Sequence, residues 1–287
     1  MPSAVRRRSS AALAALRRFS FGRTLSQALR VRAPWRYLAA RLLRTSAPRR
    51  YELCSSGLSV LLRHGTWDEV IFDEIFCSAT YAPPAEVLKA LDALGRAPRI
   101  LDLGANVGYF TVYALGRWPA ARVVSFEPDP ANAGMLNACV RVNAKSAQVE
   151  VVQAAAAAHD GTLQFVAGLA AESHRVHPAE EGVATVSVAA VDVLPYIADA
   201  DLVKMDIEGG EWEILTDPRL ASGAGQALVL EHHGRHLQGE DPRRSATELL
   251  RAAGFQVRAE GPAPQGVGLL WAWRFPAEAQ QSEPAPR

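Results

Sequence analysis

Three carboxylates fall within six residues, Asp206, Glu208 and Glu211, and Glu231, His232 and His233 follow twenty positions later. Carboxylates set this close repel one another unless something positive stands nearby. Beside an imidazole, whose ordinary pKa is about 6.5, they suit one task well: holding a hydroxyl and taking its proton as it attacks. Asp206, Glu208 and His233 are therefore the candidate catalytic residues. His233 is favoured over His232 because neighbours after a strand point in different directions, so one of the two faces the site. Glu211 has a simpler explanation, since the first turn of a helix favours acids and exposes them to solvent. Asp206, Glu208, Glu231 and a histidine also form an oxygen-rich set able to polarise a diol through a divalent metal. Nothing in the spacing forces this, and no metal ligands are assigned.

The second constellation is Arg99-Ile-Leu-Asp-Leu-Gly-Ala-Asn-Val-Gly-Tyr-Phe110, followed by Val123-Val-Ser-Phe-Glu-Pro128. Ile100 to Leu103 reads as a buried strand, Gly104 and Gly108 as a tight turn of bare backbone, and Tyr109 onward as the helix it opens. Glu127 comes 25 positions after Asp102, close to the spacing at which a carboxylate ending the second strand accepts bonds from both ribose hydroxyls. A pyrophosphate needs the middle glycine of G-x-G-x-x-G, and Asn106 stands in this loop instead. That disfavours a dinucleotide. S-adenosylmethionine, with a ribose and an adenine but no phosphate, fits better. A nicotinamide oxidoreductase is disfavoured on the same ground and by the lack of a Tyr-x-x-x-Lys pair.

Positioning these groups requires strands that end together. Strands are expected at 99–103, 122–126, 150–155, 202–205 and 228–230, alternating with helices at 109–116, 130–143, 210–215 and 247–253. Such alternation implies a parallel sheet with helices on both faces, its ligands at the carboxyl ends of the strands. Strands at 163–166 and 185–188 flank a loop carrying His174, Arg175 and His177, read as a lid or plain surface. Strands at 255–259 and 269–275 close the chain as a hairpin. Ahead of the core, 58–63 reads as a strand, 68–76 as a short helix, and Pro83-Pro84 as the start of a helix to Leu94. Lys204, two before Asp206 on one strand, is expected to pair with a carboxylate. Trp271 and Trp273 share one strand face and read as packing.

Composition sets the outer bounds. With 287 residues and 49% hydrophobic content the chain can bury one sizeable core. Residues 1–50 hold 13 Arg and no acid, so the remainder carries a net charge near −12. An acidic body argues against nucleic acid as partner. The Arg-rich extension, 1–50, is expected to be disordered or to form amphipathic basic helices making weak contact with an anionic membrane surface; a transit peptide would share its composition. Residues 51–95 read as a lead-in or cap, 96–275 as the catalytic domain and 276–287 as a disordered tail. Cys54, Cys77 and Cys139 show no metal spacing and an odd count, which fits a reducing, cytoplasmic compartment. No 18-residue uncharged apolar run is present.

Leu101-Asp-Leu-Gly-Ala-Asn-Val-Gly108, Phe126-Glu-Pro128 and Val203-Lys-Met-Asp-Ile-Glu-Gly-Gly-Glu211, with Thr66-Trp-Asp68, Glu74-Ile-Phe76, Tyr81 and Glu231-His-His233 at the flanks, resemble the FkbM-type methyltransferase family over roughly residues 55–275. Gly210 departs modestly, standing where the family commonly has Ala. The resemblance implies a Rossmann-like class I methyltransferase fold: α/β, with a seven-stranded mostly parallel sheet, an antiparallel last strand and helices on both faces. It implies methyl transfer from S-adenosylmethionine to a hydroxyl of a small molecule or glycan. Asp102, Gly104, Asn106 and Gly108 would then lie near the methionine moiety and Glu127 at the ribose. Adenine is expected near Ala157, His159 and Asp160, with Asp160 taken as its contact. The alternative is a non-catalytic cofactor-binding module or partner subunit on the same fold. The acceptor and the oligomeric state are not encoded legibly.

Overall fold

The computed structural model describes residues 21–43, 47–166, 185–222, 226–234, 241–263 and 266–275. The chain forms two compact units that meet at Thr80 and Tyr81, whereas composition places its breaks at 50 and 95. The difference has a physical cause. Residues before 50 are tied to those after it by the Val31–Leu53 bridge and by the Gln27 side-chain amide, which donates to the Glu69 carbonyl. Likewise the helix beginning at Ala85 ends on Asp92, which accepts from Trp118 Nε1 and Arg117 inside the second unit. The loop with His174, Arg175 and His177 and the 276–287 tail lie outside the described residues.

The first unit contains helices α1 (Phe21–Ala28) and α2 (Pro34–Leu42), the antiparallel pair β1 (Arg49–Glu52) and β2 (Ser59–Leu62), and α3 (Asp68–Phe72), which runs on as a π-helical turn over Asp73–Cys77. Its interior is polar as well as apolar. His64 is held between Tyr51 Oη at 2.7 Å and Glu69 at 2.9 Å, and Glu69 also pairs with Arg41. Burial pushes the Glu69 carboxyl up, but His64 and Arg41 overcome it and hold it below the usual range. A buried carboxylate is tolerable only with such partners.

The second unit opens with α4 (Ala85–Asp92), whose Val87 and Leu91 are buried. Then come β3 (Arg99–Leu103), α5 (Tyr109–Arg117), β4 (Arg122–Phe126), α6 (Pro130–Val142), β5 (Val149–Val152), β6 (Ala155–Ala157), β7 (Gly161–Val166), β8 (Thr185–Asp192), α7 (Leu194–Asp199), β9 (Leu202–Met205), α8 (Glu211–Thr216), β10 (Gln226–His232), α9 (Pro242–Ala252), β11 (Gln256–Glu260) and β12 (Gly268–Arg274). Seven strands form one sheet in the order β11-β12-β10-β9-β3-β4-β5, parallel from β10 through β5, with β12 antiparallel to both neighbours. Continuous apolar runs such as Ala227–Leu230 suit strands covered on both faces. Leu101, Leu103, Val203, Met205, Leu228 and Leu230 fill the core beneath the helices.

Two expectations shift. The expected strand 150–155 is really two: Ala154 N donates to Val152 O across a sharp turn, and β6 leaves for a three-stranded sheet of order β6-β8-β7. Helix α9 begins five residues before Thr247, because Asp241 caps it, accepting from Arg243 N, with Pro242 in its first turn.

The sheet is tightest where β3 meets β9. A Cβ built on Gly104, at φ +75°, would stand 1.8 Å from the Asp206 carbonyl oxygen, and one on Gly108, at φ +86°, 2.4 Å from Leu136 Cδ1. Gly104→Ala is accordingly expected to cost about 3 kcal/mol or more in urea unfolding, from strain and backbone displacement together. Gly134→Ala, in α6 with open space around it, should gain up to about 1 kcal/mol. Equal, small effects at both positions would overturn this account of the β3–β9 approach.

Candidate active site

The site assembles at the carboxyl ends of β3, β4, β9 and β10. The loop after β3 holds Asn106 at φ +50° between its two left-handed glycines. Asn106 N donates to Glu127 Oε2 at 2.8 Å, and Asp129 N donates to Oε1 at 2.9 Å. Glu127, at the tip of β4, is thus fixed by backbone rather than by side chains. Burial, only partly offset by those two amides, pushes its carboxyl up to about 7.

Beneath the loop lies Lys204, paired in register with Asp102 across β9 and β3. Its ammonium donates to the carbonyls of Gly104 (2.6 Å) and Leu103 (3.3 Å), and lies 3.5 Å from Asp206 and 3.7 Å from Asp102. Burial would lower its pKa, but the charges of Asp206, Asp102, Glu231 and Glu127 hold it above the ordinary lysine value. Asp102 is fully buried and bonded by Thr111 Oγ1 at 2.7 Å, with burial raising its pKa. It therefore acts behind the loop rather than at its open side.

Past β9 and β10 the chain gathers four carboxylates around one imidazole. Glu211, read from sequence as a solvated helix-turn acid, is completely buried. It accepts from Gly209 N at 2.7 Å and His233 N at 2.6 Å, and lies 3.2 Å from His233 Nδ1. The other ring nitrogen, Nε2, stands 3.6 Å from Glu208 and 3.9 Å from Glu231. Burial alone would lower the pKa of His233; the bond from Glu211 and the charges of Asp206, Glu211 and Glu208 reverse this and raise it to about 9. Ligand atoms of Asp206, Glu208 and His233 lie within 4.8 Å of one another, a set able to hold a metal ion. His232 points elsewhere, against Gly268 and Arg243, its pKa lowered by burial and by the Arg243 charge.

Tyr81 was named from sequence only as part of a flanking pattern. Its hydroxyl donates to Glu231 Oε2 at 2.7 Å and lies 3.4 Å from Asp206 Oδ2, while its ring packs on Phe110. Asp160, expected at the adenine, accepts from Asp192 N at 2.8 Å at the end of β8. Asp206, Glu208, Glu231, His233 and Tyr81 thus converge at one place, beside the loop of Gly104, Asn106 and Gly108 and the tip carboxylate of Glu127.

Counted from β3, the sheet order is 3-2-1-4-5-7-6 with strand 7 reversed, the arrangement of a class I methyltransferase. A model of the methyltransferase FkbM domain matches residues 102–257, a little over half the chain, and the chain belongs to that family. Among characterised proteins it is similar to the AMB antimetabolite synthetase AmbE of Pseudomonas aeruginosa, 43% identical over 60 residues, covering 21% of this chain and 2% of that one. It is also similar to the methyltransferase sdnD of Sordaria araneosa, 33% identical over 66 residues, covering 23% of this chain and 26% of that one. The chain thus spans only a small part of either relative. A solved structure similar to it is the O-methyltransferase TomG from Streptomyces achromogenes, in complex with SAM, at 14% identity and TM-score 0.40, covering 67% of this chain and 79% of that one. At that TM-score the likeness carries no weight beside the strand order itself.

The raised His233 pKa makes a stability prediction. A histidine whose pKa is higher folded than unfolded stabilises fully below about 6.5 and loses that contribution as pH rises through about 9. Unfolding free energy, measured in chelator, should fall by roughly 2–3 kcal/mol across this window, and His233→Gln should flatten the fall. A slope that survives the substitution would remove His233 as its source.

Proposed function

We propose that this chain transfers a methyl group from S-adenosylmethionine to a hydroxyl oxygen of a small molecule or glycan. The observation that carries the reading is the grouping of Asp206, Glu208, Glu231 and Tyr81 around His233, next to the glycine loop and Glu127. The residues fit the donor in two ways. Glu127 presents a fixed carboxylate where ribose hydroxyls can donate, and the excess of carboxylates over Lys204 and His233 favours a sulfonium cation. When bound, the donor supplies a methyl carbon already activated by its sulfonium, so alignment is the protein's main task.

The acceptor hydroxyl would be held in line with the bound donor's methyl carbon, sulfur would be the leaving group, and the hydroxyl proton would leave to the protein. Asp206 and Glu208 orient the acceptor by accepting from its neighbouring hydroxyls, leaving the reacting one free to donate to His233. His233 takes the proton. It can do so only as the neutral imidazole, a form that a second cation in the crevice would favour. Glu211 keeps Nε2 turned to the site from Nδ1, and Tyr81 fixes Glu231.

A second reading has its own support. The 4.8 Å grouping of Asp206, Glu208 and His233, with Glu211 behind Nδ1, has the form of a carboxylate–histidine–metal site. A divalent ion there would polarise the acceptor oxygen in place of a base. Titrating chelator-stripped protein with Mg²⁺, Mn²⁺ and Zn²⁺ by calorimetry decides between them: saturable binding lost in Asp206→Asn supports the metal, and no heat supports His233 as base.

Calorimetric titration with S-adenosylmethionine and S-adenosylhomocysteine, NAD serving as control, tests the donor. Glu127→Ala should weaken both by about 1.5–3 kcal/mol. Wild-type affinity should rise from pH 6 to pH 8 as the Glu127 carboxyl ionises near 7, and Glu127→Gln should lose that rise. Unchanged binding in a folded Glu127→Ala protein would break the assignment. Asp206→Asn should spare donor binding while turnover falls at least tenfold, and His233→Asn should lower kcat about 10²–10⁴-fold. Normal turnover in either removes that residue from the mechanism. Donor binding without turnover on any polyol would favour the non-catalytic module.

A further inference from the structure

In the first unit, helix α2 wears its apolar residues on the outside. Tyr37 and Ala40 are buried, while Trp35 is 70% exposed, Leu38 36% and Leu42 84%; Leu43, just past the helix, is 71% exposed. At 100° per residue Trp35, Leu38, Leu42 and Leu43 fall in one arc. Leu25 of helix α1 and Leu29 just past its end, four apart, are likewise exposed. Scattered surface leucines need no explanation, but an ordered stripe with a tryptophan does.

The charge around the stripe is mainly positive. Arg36 lies on the exposed side of α2, and with Arg32, Arg49 and Arg50 it lines a cavity of about 450 Å³ in which, among the described residues, the one acid is Glu52, paired with Arg32 at 2.9 Å. Across residues 1–50 there are 13 Arg and no acid. A second copy seated on this face would bring two such segments together, which the charge opposes. An anionic surface is what complements it.

We infer that the exposed face of α2, with its rim of arginines, is a docking surface for an anionic lipid bilayer. The nine-residue helix is about 14 Å long, and among the described residues no helix is long and apolar enough to cross a membrane. It lies in the interface plane instead, Trp35, Leu38 and Leu42 entering the acyl boundary and the arginines meeting phosphate headgroups. The juxtaposition carrying the inference is an outward apolar helix stripe beside a cavity lined by four arginines.

The test is co-sedimentation of the full chain with vesicles of phosphatidylcholine alone or with 30% phosphatidylglycerol, alongside analytical ultracentrifugation without lipid. The expected result is binding to the anionic vesicles that weakens with salt, falls at least tenfold in the Trp35→Ser/Leu42→Ser double variant, and falls again in Arg36→Gln/Arg49→Gln. The circular dichroism spectra of all proteins should match, since the substituted side chains are exposed. No binding by folded wild type overturns the inference, as does binding that survives the apolar double substitution. Self-association in the centrifuge abolished by Leu42→Ser also overturns it, and names a second copy as the occupant.

Discussion

One buried ammonium holds the second unit's working end together. Lys204 is 4% exposed, and a lysine in such a place survives only if its surroundings outweigh the loss of water. They do so twice over: the carbonyls of Leu103 and Gly104 accept its hydrogen bonds, and Asp102 and Asp206 flank it. The loop's path, the burial of Asp102 and the position of Asp206 are consequences of one charge. The same approach forces a glycine at 104, because the Asp206 carbonyl occupies the space a side chain would need. Loop and acid cluster are thus one object, although a hundred residues separate them.

The second constraint is Glu211, which bonds the amide of Gly209 and the amide of His233 at once. It ties the turn after β9 to the end of β10 and, through Nδ1, sets the direction of the imidazole. A carboxylate with no solvent exposure, satisfied by backbone donors, is a rigid support in a way a solvated one is not. The left-handed backbone at Glu208, φ +54°, belongs to the same turn. Strain there is sustained because the groups on either side are pinned.

These constraints explain what was legible in the sequence. Strands 99–103, 122–126 and 202–205 stand where their largely apolar segments put them, since a strand covered on both faces announces itself without reference to its neighbours. The loop glycines and the acid at the tip of β4 are equally local signals. The run Ala154–Ala158 carries no alternation to mark a change of sheet, so the break between β5 and β6 was invisible. Tyr81 meets Glu231 across 150 positions, and a lone tyrosine in a flanking motif gives no sign of that partner. Glu211 misled for the opposite reason: its place in a helix's first turn offered a sufficient local explanation, while its actual role depends on an amide from β10.

The geometry also sharpens the case against a pyrophosphate ligand. A glycine loop binds phosphate when its amides point at an open cradle. Here the Asn106 amide already points at Glu127 Oε2, and the Asp129 amide at Oε1. The protein has put its own anion where a phosphate would draw on those donors, and an incoming phosphate would meet a carboxylate besides. A ligand offering hydroxyl donors meets the reverse condition, since each carboxylate oxygen that accepts one amide keeps a second lone pair. The missing middle glycine and the position of Glu127 both favour the neutral ribose of the proposed donor over a charged phosphate. The carboxylates further along the crevice extend that preference from neutral to cationic.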